Sequence, residues 1–555
     1  MSHITTATST WILLLILSVP LCAIESQQNL KDQNVPIIII GAGAAGLAAA
    51  QRLYDAGFRS VTILEAEPRT GGRIFTSQTS ESDFVELGAQ FVHGQDTVLH
   101  DFAHDHGLLT LPAPTEAEGW VVQNFNLTAA DRASMDKEKA IFRSVTNSLE
   151  RPSNHSNTQS VESLRAPLFS DASPIGQARR WSEETYDQCV RNEMIWTASP
   201  DPRLTSPRSY SDFKQVGGNF ILKPSVSMHD VLSAMTATFP REWIIFNRTV
   251  SSIDLISNTS GKSLGIAVTT PALHGTGIRI YRAAHVIVTV SLGVLKSQPS
   301  LFDPPLSSRK TKAISKAGFG SATKLFFKFD TPFWEKLEPK NASGFGLIYR
   351  KPFLLTPKDS PNASSINGRE WYRYAVRFGP ETNANNTIFL RVGGDGARQV
   401  DALSDRQVID DIWPILQQFA GAVHVPRPLN LIREKWTANG NFLGTYSYFS
   451  LESALANLTV ADLASPEWEF TRARPQGNVA HRLLFAGEAT HSEYFSTVHG
   501  AILSGQREAD RITSYYSSNG QVTTAASAPL GNHATRRSTA LSVALLVTYV
   551  ATLCI

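Results

Sequence analysis

The hydrophobic pattern is densest near the start of the chain, in Val35-Pro-Ile-Ile-Ile-Ile-Gly41. Four isoleucines in a row predict a strand buried on both faces, and Leu47 to Tyr54 carries the spacing of a helix. Val61-Thr-Ile-Leu-Glu65 predicts a second strand, ending in an acid. Phe84-Val-Glu-Leu-Gly88-Ala89-Gln-Phe-Val-His93-Gly94 alternates like a strand that opens into a glycine-flanked loop. From about Asp131 to Arg208 the chain turns polar, with a helical pattern and many Ser and Asn, as in an inserted segment that is flexible in part. β character returns in Trp243–Ile256 and Ile278–Val290, where Val286 to Lys296 predicts a buried strand and turn. Thr323–Phe329 and the aromatic run Trp371–Phe378 predict further strands. A last apolar stretch, Arg482–Ala486, leads through Thr497-Val498-His-Gly-Ala501 into a helix ending near Tyr515. No internal repeat is visible.

Between the first strand and helix stands Gly41-x-Gly43-x-x-Gly46. Gly41 permits the tight turn, Gly43 lets a pyrophosphate approach the backbone, and Gly46 lets helix and strand pack closely. N–H groups of the first helical turn would then face the phosphates. Glu65 falls at the spacing of an acid that holds a ribose hydroxyl. Gly71-Gly72-Arg73 adds a glycine turn and a cation suited to phosphate or a ring carbonyl.

Composition narrows the class. At 555 residues the chain is too long for one core, so two domains or more are expected. A net charge of +2, with no basic run interleaved with aromatics, argues against a nucleic-acid partner. Trp11 to Ala23 has the apolar core and small cleavage residue of a signal peptide. Residues 517–537 form a small-residue linker containing Ala525-Ala526-Ser527, and 538–555 an apolar tail. That is the pattern of a GPI-attachment signal, with a membrane-spanning helix as the alternative. Eight sequons, at Asn126, Asn154, Asn247, Asn258, Asn341, Asn362, Asn385 and Asn457, fit a secreted glycoprotein. With Cys22 and Cys554 removed along with the signals, only Cys189 remains, and no intrachain disulfide is expected.

Taken together, these motifs resemble the flavin-containing amine oxidases, most closely the polyamine and spermine oxidases. The resemblance rests on Gly41–Gly46, Glu65, Gly71-Gly72-Arg73, Leu87–Gly94, Val290–Lys296, Lys324, Gly444-Thr-Tyr446-Ser-Tyr448 and the long block Phe485–Arg511. It implies an α/β fold, with a Rossmann-like FAD-binding domain assembled from residues 35–110, 226–320 and 466–516. An α+β substrate domain, a mixed sheet flanked by helices, would come from 111–225 and 321–465. The implied activity is oxidation of a polyamine C–N bond, with O2 returning the flavin to its oxidised form and giving H2O2.

By family position Gly41, Gly43, Ala45 and Gly46 meet the cofactor's phosphates, and Glu65 its adenosine ribose. Arg73 lies near the pyrophosphate or flavin, Val250 touches adenine, and Glu488 reaches the phosphate–ribityl portion. Gly88, Ala89, Gly487 and Thr497 complete the cofactor set, and Val498 starts the helix whose N–H groups face the flavin. Lys324 would hold a water for proton handling, although a strand lysine is ordinarily solvated. Tyr446 would form an aromatic wall, Thr497 would bond a substrate nitrogen, and His93 would accept the amine's hydrogen bond or proton. His491 and His499 are weaker candidates. Thr445 stands where monoamine oxidases have the cysteine of a covalent flavin link, so the FAD is expected to be non-covalent.

Glu183, Glu184, Asp187 and Glu193 are candidates to pair with the far ammonium groups of a polycation, or else form a solvated acidic face. Two rival functions stay open. An L-amino-acid oxidase would need an Arg for the substrate carboxylate, with Arg373 and Arg377 available. A catalytically silent surface-binding member is the other, against which the intact glycine motif, Glu65, Lys324 and Glu488 count.

Overall fold

A computed structural model describes residues 34–110, 118–149, 158–169, 182–257, 263–272, 277–350, 370–470 and 480–517. The Ile37–Ile40 strand lies inside a six-stranded sheet ordered Glu467–Phe470, Ala480–Phe485, His285–Val288, Ile37–Ile40, Val61–Leu64, Ile244–Ile245. Its pairings are parallel except between the first two strands. All four isoleucines are buried, as a strand covered on both faces requires. Ile38 and Ile40 pack with Val286, Val288 and Phe485, and with Ile253 and Val268 of a four-stranded sheet beyond them. The first helix starts at Ala44, three residues earlier than the hydrophobic pattern suggests, and runs to Asp55. Its first turn is alanine and glycine, which bury without marking a periodicity. The expected turn after Val288 is instead a short helix, Leu292–Ser297, capped by Ser291.

A second six-stranded sheet runs Asn430–Ile432, Ala322–Lys328, Thr387–Gly393, Ala375–Pro380, Gly344–Ile348, Glu118–Val122. Only its last pair is parallel. Along Ala322–Lys328, Leu325 and Phe327 enter the main core with Tyr186 and Val190 of the helix Ser182–Thr197 and Ile412 of the helix Asp405–Ala420. Phe326 points the other way, into a cluster with Leu87, Phe389 and Trp436. That alternation puts Lys324 on the Phe326 face, its ammonium 5.8 Å from that ring.

The first sheet thus takes its strands from 35–110, 226–320 and 466–516, and the second from 111–225 and 321–465. Described residues of both belong to one compact unit that ends at Tyr515. The polar segment after Asp131 holds the helices Ala129–Ser148, Val161–Phe169 and Ser182–Thr197. The signal-peptide and GPI readings, and the sequons at Asn154, Asn258 and Asn362, lie outside the described residues. Among the described residues no helix is long and apolar enough to cross a membrane.

One buried cation makes stability depend on pH. Lys310 is 1% exposed, donates to the carbonyls of Leu463 (2.8 Å) and Ser465, and sits 4.0 Å from the centre of the Phe485 ring. Burial pulls its pKa down to about 7. Between that value and the free-lysine value of about 10.4 the unfolded chain binds the proton more readily, so stability rises with pH. Relative to a Lys310→Met variant, the wild-type unfolding free energy should increase by roughly 1 kcal/mol per pH unit above pH 7. Denaturant titrations at pH 6, 7, 8 and 9 measure it, and a constant difference between the two proteins would refute the assignment.

Candidate active site

The glycine loop opens onto a cavity of about 370 Å³, within the range of ligand-binding clefts. Gly41 has φ +107°, a conformation closed to other residues at low cost. Gly46 does not face the cavity. A Cβ there would lie 2.0 Å from the Gly41 carbonyl oxygen, so this glycine serves helix–strand contact, as the motif predicts. Gly43 does line the cavity, beside the Gly71–Gly72 turn, and a Cβ on it would meet no protein atom closer than 3.9 Å. No side chain caps the helix that starts at Ala44, and its first turn has no acid. A backbone cradle with uncapped N–H groups fits a pyrophosphate.

Glu65 is buried at the end of its strand, accepting the N–H groups of Ala42 (2.6 Å) and Glu67 (2.8 Å). Burial raises its pKa, and those two N–H groups work against the shift. Val250 lines the same end, and Arg248 is tied to it by a 2.8 Å bond from its N–H to the Glu65 carbonyl. Further along, Arg73 pairs with Glu488 at 2.9 Å and also donates to the Thr445 carbonyl. The other Glu488 oxygen accepts from the Ser447 hydroxyl (2.6 Å) and the Ser496 N–H (2.9 Å). Its carboxylate therefore braces Arg73 against two loops, and Glu488 itself lines the cavity. Ala45, Gly88, Ala89, Gly487 and Val498 also line the cavity, and Val498 opens the helix Val498–Ser517.

Lys324, His93, Tyr446 and Thr497 all line the same cavity. Lys324 Nζ donates to Gln90 Oε1 at 2.8 Å. Burial lowers its pKa to about 8, while Glu86 and Glu381 nearby oppose the shift. Burial raises both of those carboxyls, and neither lines the cavity. The Tyr446 hydroxyl donates to the Ile195 carbonyl, fixing the ring at the cavity wall. The Thr497 hydroxyl donates to Tyr494 O (2.7 Å) and accepts the Gly500 N–H (3.0 Å). It is a helix cap with one lone pair left for a substrate N–H.

Several expected residues lie elsewhere. Asp187 is buried in a 2.9 Å pair with Arg191, and Glu193 pairs with Arg165 and accepts from Tyr210. Glu183 is exposed, and none of the four acids lines the cavity, so they are not ammonium anchors there. Arg373 pairs with Glu370 at 3.6 Å, Arg377 donates to Ser343 at 3.3 Å, and neither reaches the cavity. His491 and His499 do not line it either. His491 accepts the Tyr494 N–H at 3.0 Å, and burial holds His499 neutral by lowering its pKa to about 4.

The sequence reading gave no role to Gln90 or Arg391, both of which line the cavity beside Lys324. The signal for Arg391 is a lone charge inside the apolar strand Thr387-Ile-Phe-Leu-Arg-Val-Gly393.

Residues 44–513 match the family described as flavin containing amine oxidoreductase. The chain belongs to that family. This flavin amine oxidoreductase is 27% identical over 514 residues to the human peroxisomal N(1)-acetyl-spermine/spermidine oxidase, covering 86% of this chain and 95% of the relative. It is also 27% identical over 537 residues to the protein anon-37Cs of Drosophila lebanonensis (88% and 90% covered). A probable polyamine oxidase 5 of Arabidopsis thaliana is 25% identical over 556 residues (87% and 99%). The fold is that of a putrescine oxidase solved with putrescine bound, at TM-score 0.59 and 20% identity over 87% of this chain and 99% of that one. The cofactor of this flavin amine oxidoreductase is FAD, and the cradle, Glu65 and the Arg73–Glu488 pair suit it in size and charge.

Proposed function

We propose that this flavin amine oxidoreductase is a polyamine oxidase that acts on spermine or an N-acetylpolyamine. A hydride leaves the carbon next to a secondary amine, O2 is reduced to H2O2, and water splits the imine into an aminoaldehyde and a shorter amine. The observation that carries this reading is that Lys324, His93, Tyr446 and Thr497 line the same cavity as the glycine cradle. Relatives whose names specify polyamine substrates support it.

The residues divide the work. Bound FAD supplies the two-electron acceptor. Backbone at Gly41, Gly43 and Gly72 takes its phosphates, Glu65 a ribose hydroxyl, and Arg73 the charge nearer the ring. His93 accepts a proton from the amine, which must be neutral to release a hydride. Tyr446 directs the chain of the amine along the cavity, and the remaining lone pair on Thr497 takes an N–H. Lys324 Nζ, fixed by Gln90, exchanges a proton with a water in the same cavity. Thr445 lines the cavity where a linking cysteine would stand, and Cys189 is buried away from it, so the FAD is held without a covalent bond.

We further place the protein in the secretory pathway, at the outer face of the cell membrane through a GPI anchor. The five described sequon asparagines, Asn126, Asn247, Asn341, Asn385 and Asn457, are all exposed, which supports glycosylation.

The test is the visible spectrum of the purified protein, then H2O2 production with spermine, N1-acetylspermine, spermidine, benzylamine and L-leucine. We expect a flavin spectrum that passes to the supernatant on acid precipitation, and turnover of a polyamine. Flavin retained on the precipitate would overturn the non-covalent reading, and turnover of leucine alone the polyamine one.

A further inference from the structure

Outside the cavity the helix Val98–Asp105 carries the same pair of residues twice, His100-Asp101 and His104-Asp105. A spacing of four puts both histidines on one face of the helix. Thr97 caps the helix, its hydroxyl accepting the His100 N–H at 3.2 Å. The two imidazole rings have centroids 5.7 Å apart and planes 21° from parallel. Each ring meets the carboxylate that follows it in the chain. His100 Nδ1 lies 3.2 Å from Asp101 Oδ1, and His104 Nδ1 lies 3.3 Å from Asp105 Oδ1. None of these four residues lines the cavity.

An ionised carboxylate only accepts, so both Nδ1 atoms carry the hydrogen and both Nε2 atoms keep a lone pair in the ring plane. Among the described residues the rings make no side-chain hydrogen bonds other than those to Asp101 and Asp105. A histidine that binds a metal ion ordinarily donates its other ring N–H to a carboxylate, which fixes the ring and makes the binding nitrogen more basic. Here both do. The separation agrees. An imidazole nitrogen binds zinc at about 2.0–2.1 Å, which puts the ring centre about 3.2 Å from the ion. Two rings sharing one ion then have centres about 5.2 Å apart at the tetrahedral angle, and about 6.4 Å apart at most. The observed 5.7 Å falls within that range. His100 is fixed, its side chain 12% exposed and its ring 4.7 Å from that of Phe220. His104 is 71% exposed and can turn onto a shared ion.

We propose that His100 and His104 chelate one divalent transition-metal ion of the kind imidazole favours, zinc, copper or nickel. Asp101 and Asp105 orient the rings without touching the ion. Among the described residues no group of three His, Cys, Asp or Glu could hold a metal ion, so water completes the coordination. The site is open to solution and does not depend on which amine the cavity oxidises.

Calorimetric titration of the untagged, flavin-loaded protein with Zn2+ tests it, alongside H104A and the double variant D101N/D105N. His104 is exposed, so H104A should keep the wild-type fold and flavin content. Wild type should bind one equivalent of Zn2+ that H104A does not. The double variant should bind it about tenfold more weakly. Mg2+ at the same concentration should not compete, because it takes oxygen ligands. Cu2+ in place of Zn2+ should give an electron paramagnetic resonance spectrum with imidazole nitrogen couplings that H104A lacks.

Equal Zn2+ uptake by wild type and H104A, or uptake by neither, would overturn the site. Displacement of Zn2+ by Mg2+ would mean that carboxylates hold the ion, and would overturn the chelate. Wild-type affinity in D101N/D105N would overturn the role given to the two aspartates.

Discussion

Replacing Lys324 by methionine is expected to slow reoxidation by O2 by about a hundredfold, the usual worth of a positioned proton donor or acceptor. Reduction by substrate should change much less, because the proposed role of Lys324, held by Gln90, is in handling the proton of reoxidation. Methionine has similar bulk, and Leu325 and Phe327 on the opposite face keep the strand in the core. Stopped-flow measurement of the two half-reactions separates the effects. Burial lowers the Lys324 pKa to about 8, so its ammonium loses its proton within the working range. The wild-type pH profile for reoxidation should therefore carry a step near pH 8 that the methionine variant lacks. Reoxidation at the wild-type rate in K324M, or an unchanged pH step, would remove Lys324 from the chemistry. A Gln90→Leu variant tests the support: freed from its 2.8 Å acceptor, Lys324 should keep its pH step at reduced rate.

Much of this arrangement was legible in the sequence, for reasons that are local. Four consecutive isoleucines have few alternatives to a central strand, and glycines spaced one and two residues apart between strand and helix have few uses besides a phosphate cradle. Period-two alternation along Thr323–Phe329 sets Lys324 opposite Leu325 and Phe327, which is the division the structure has. What stayed hidden depends on partners distant in the chain. Arg165 lies 28 positions before Glu193, and their pairing turns a supposed ligand into part of a buried ionic network. Helical spacing shows that Asp187 and Arg191 share a face but not that the face is buried. Arg391 was missed because one charge in an apolar strand carries no motif. It acquires meaning only when the neighbouring strand puts Lys324 beside it and the Leu87–Gly94 loop brings Phe91 over it. Thr497 lines the cavity, but the sequence does not show that its hydroxyl also caps the helix that follows.

Two glycines of the first loop should fail differently when changed, and the contrast tests what each is for. At Gly46 an added Cβ would fall 2.0 Å from the Gly41 carbonyl oxygen, and the backbone of the helix Ala44–Asp55 would have to move away from the Ile37–Ile40 strand. The same helix meets the Val498–Ser517 helix at Gly505, where a Cβ would lie 2.0 Å from the Ala45 oxygen, so it has little room to retreat. Overpacking typically costs about 1–3 kcal/mol, and more where backbone must move. Gly46→Ala should therefore lose both flavin and folded yield. At Gly43 the nearest protein atom to a Cβ is 3.9 Å away, and its backbone, at φ −77°, accepts any residue. Gly43→Val should fold, with the near-ultraviolet circular dichroism and apoprotein melting temperature of wild type. Its side chain would project toward the phosphate cradle, so flavin content should fall by about tenfold or more. Purified Gly43→Val with a full complement of FAD would mean that the cofactor's phosphates do not approach the backbone at this glycine. Gly46→Ala with wild-type stability would mean that the helix can shift, and that close packing there is not what the third glycine provides.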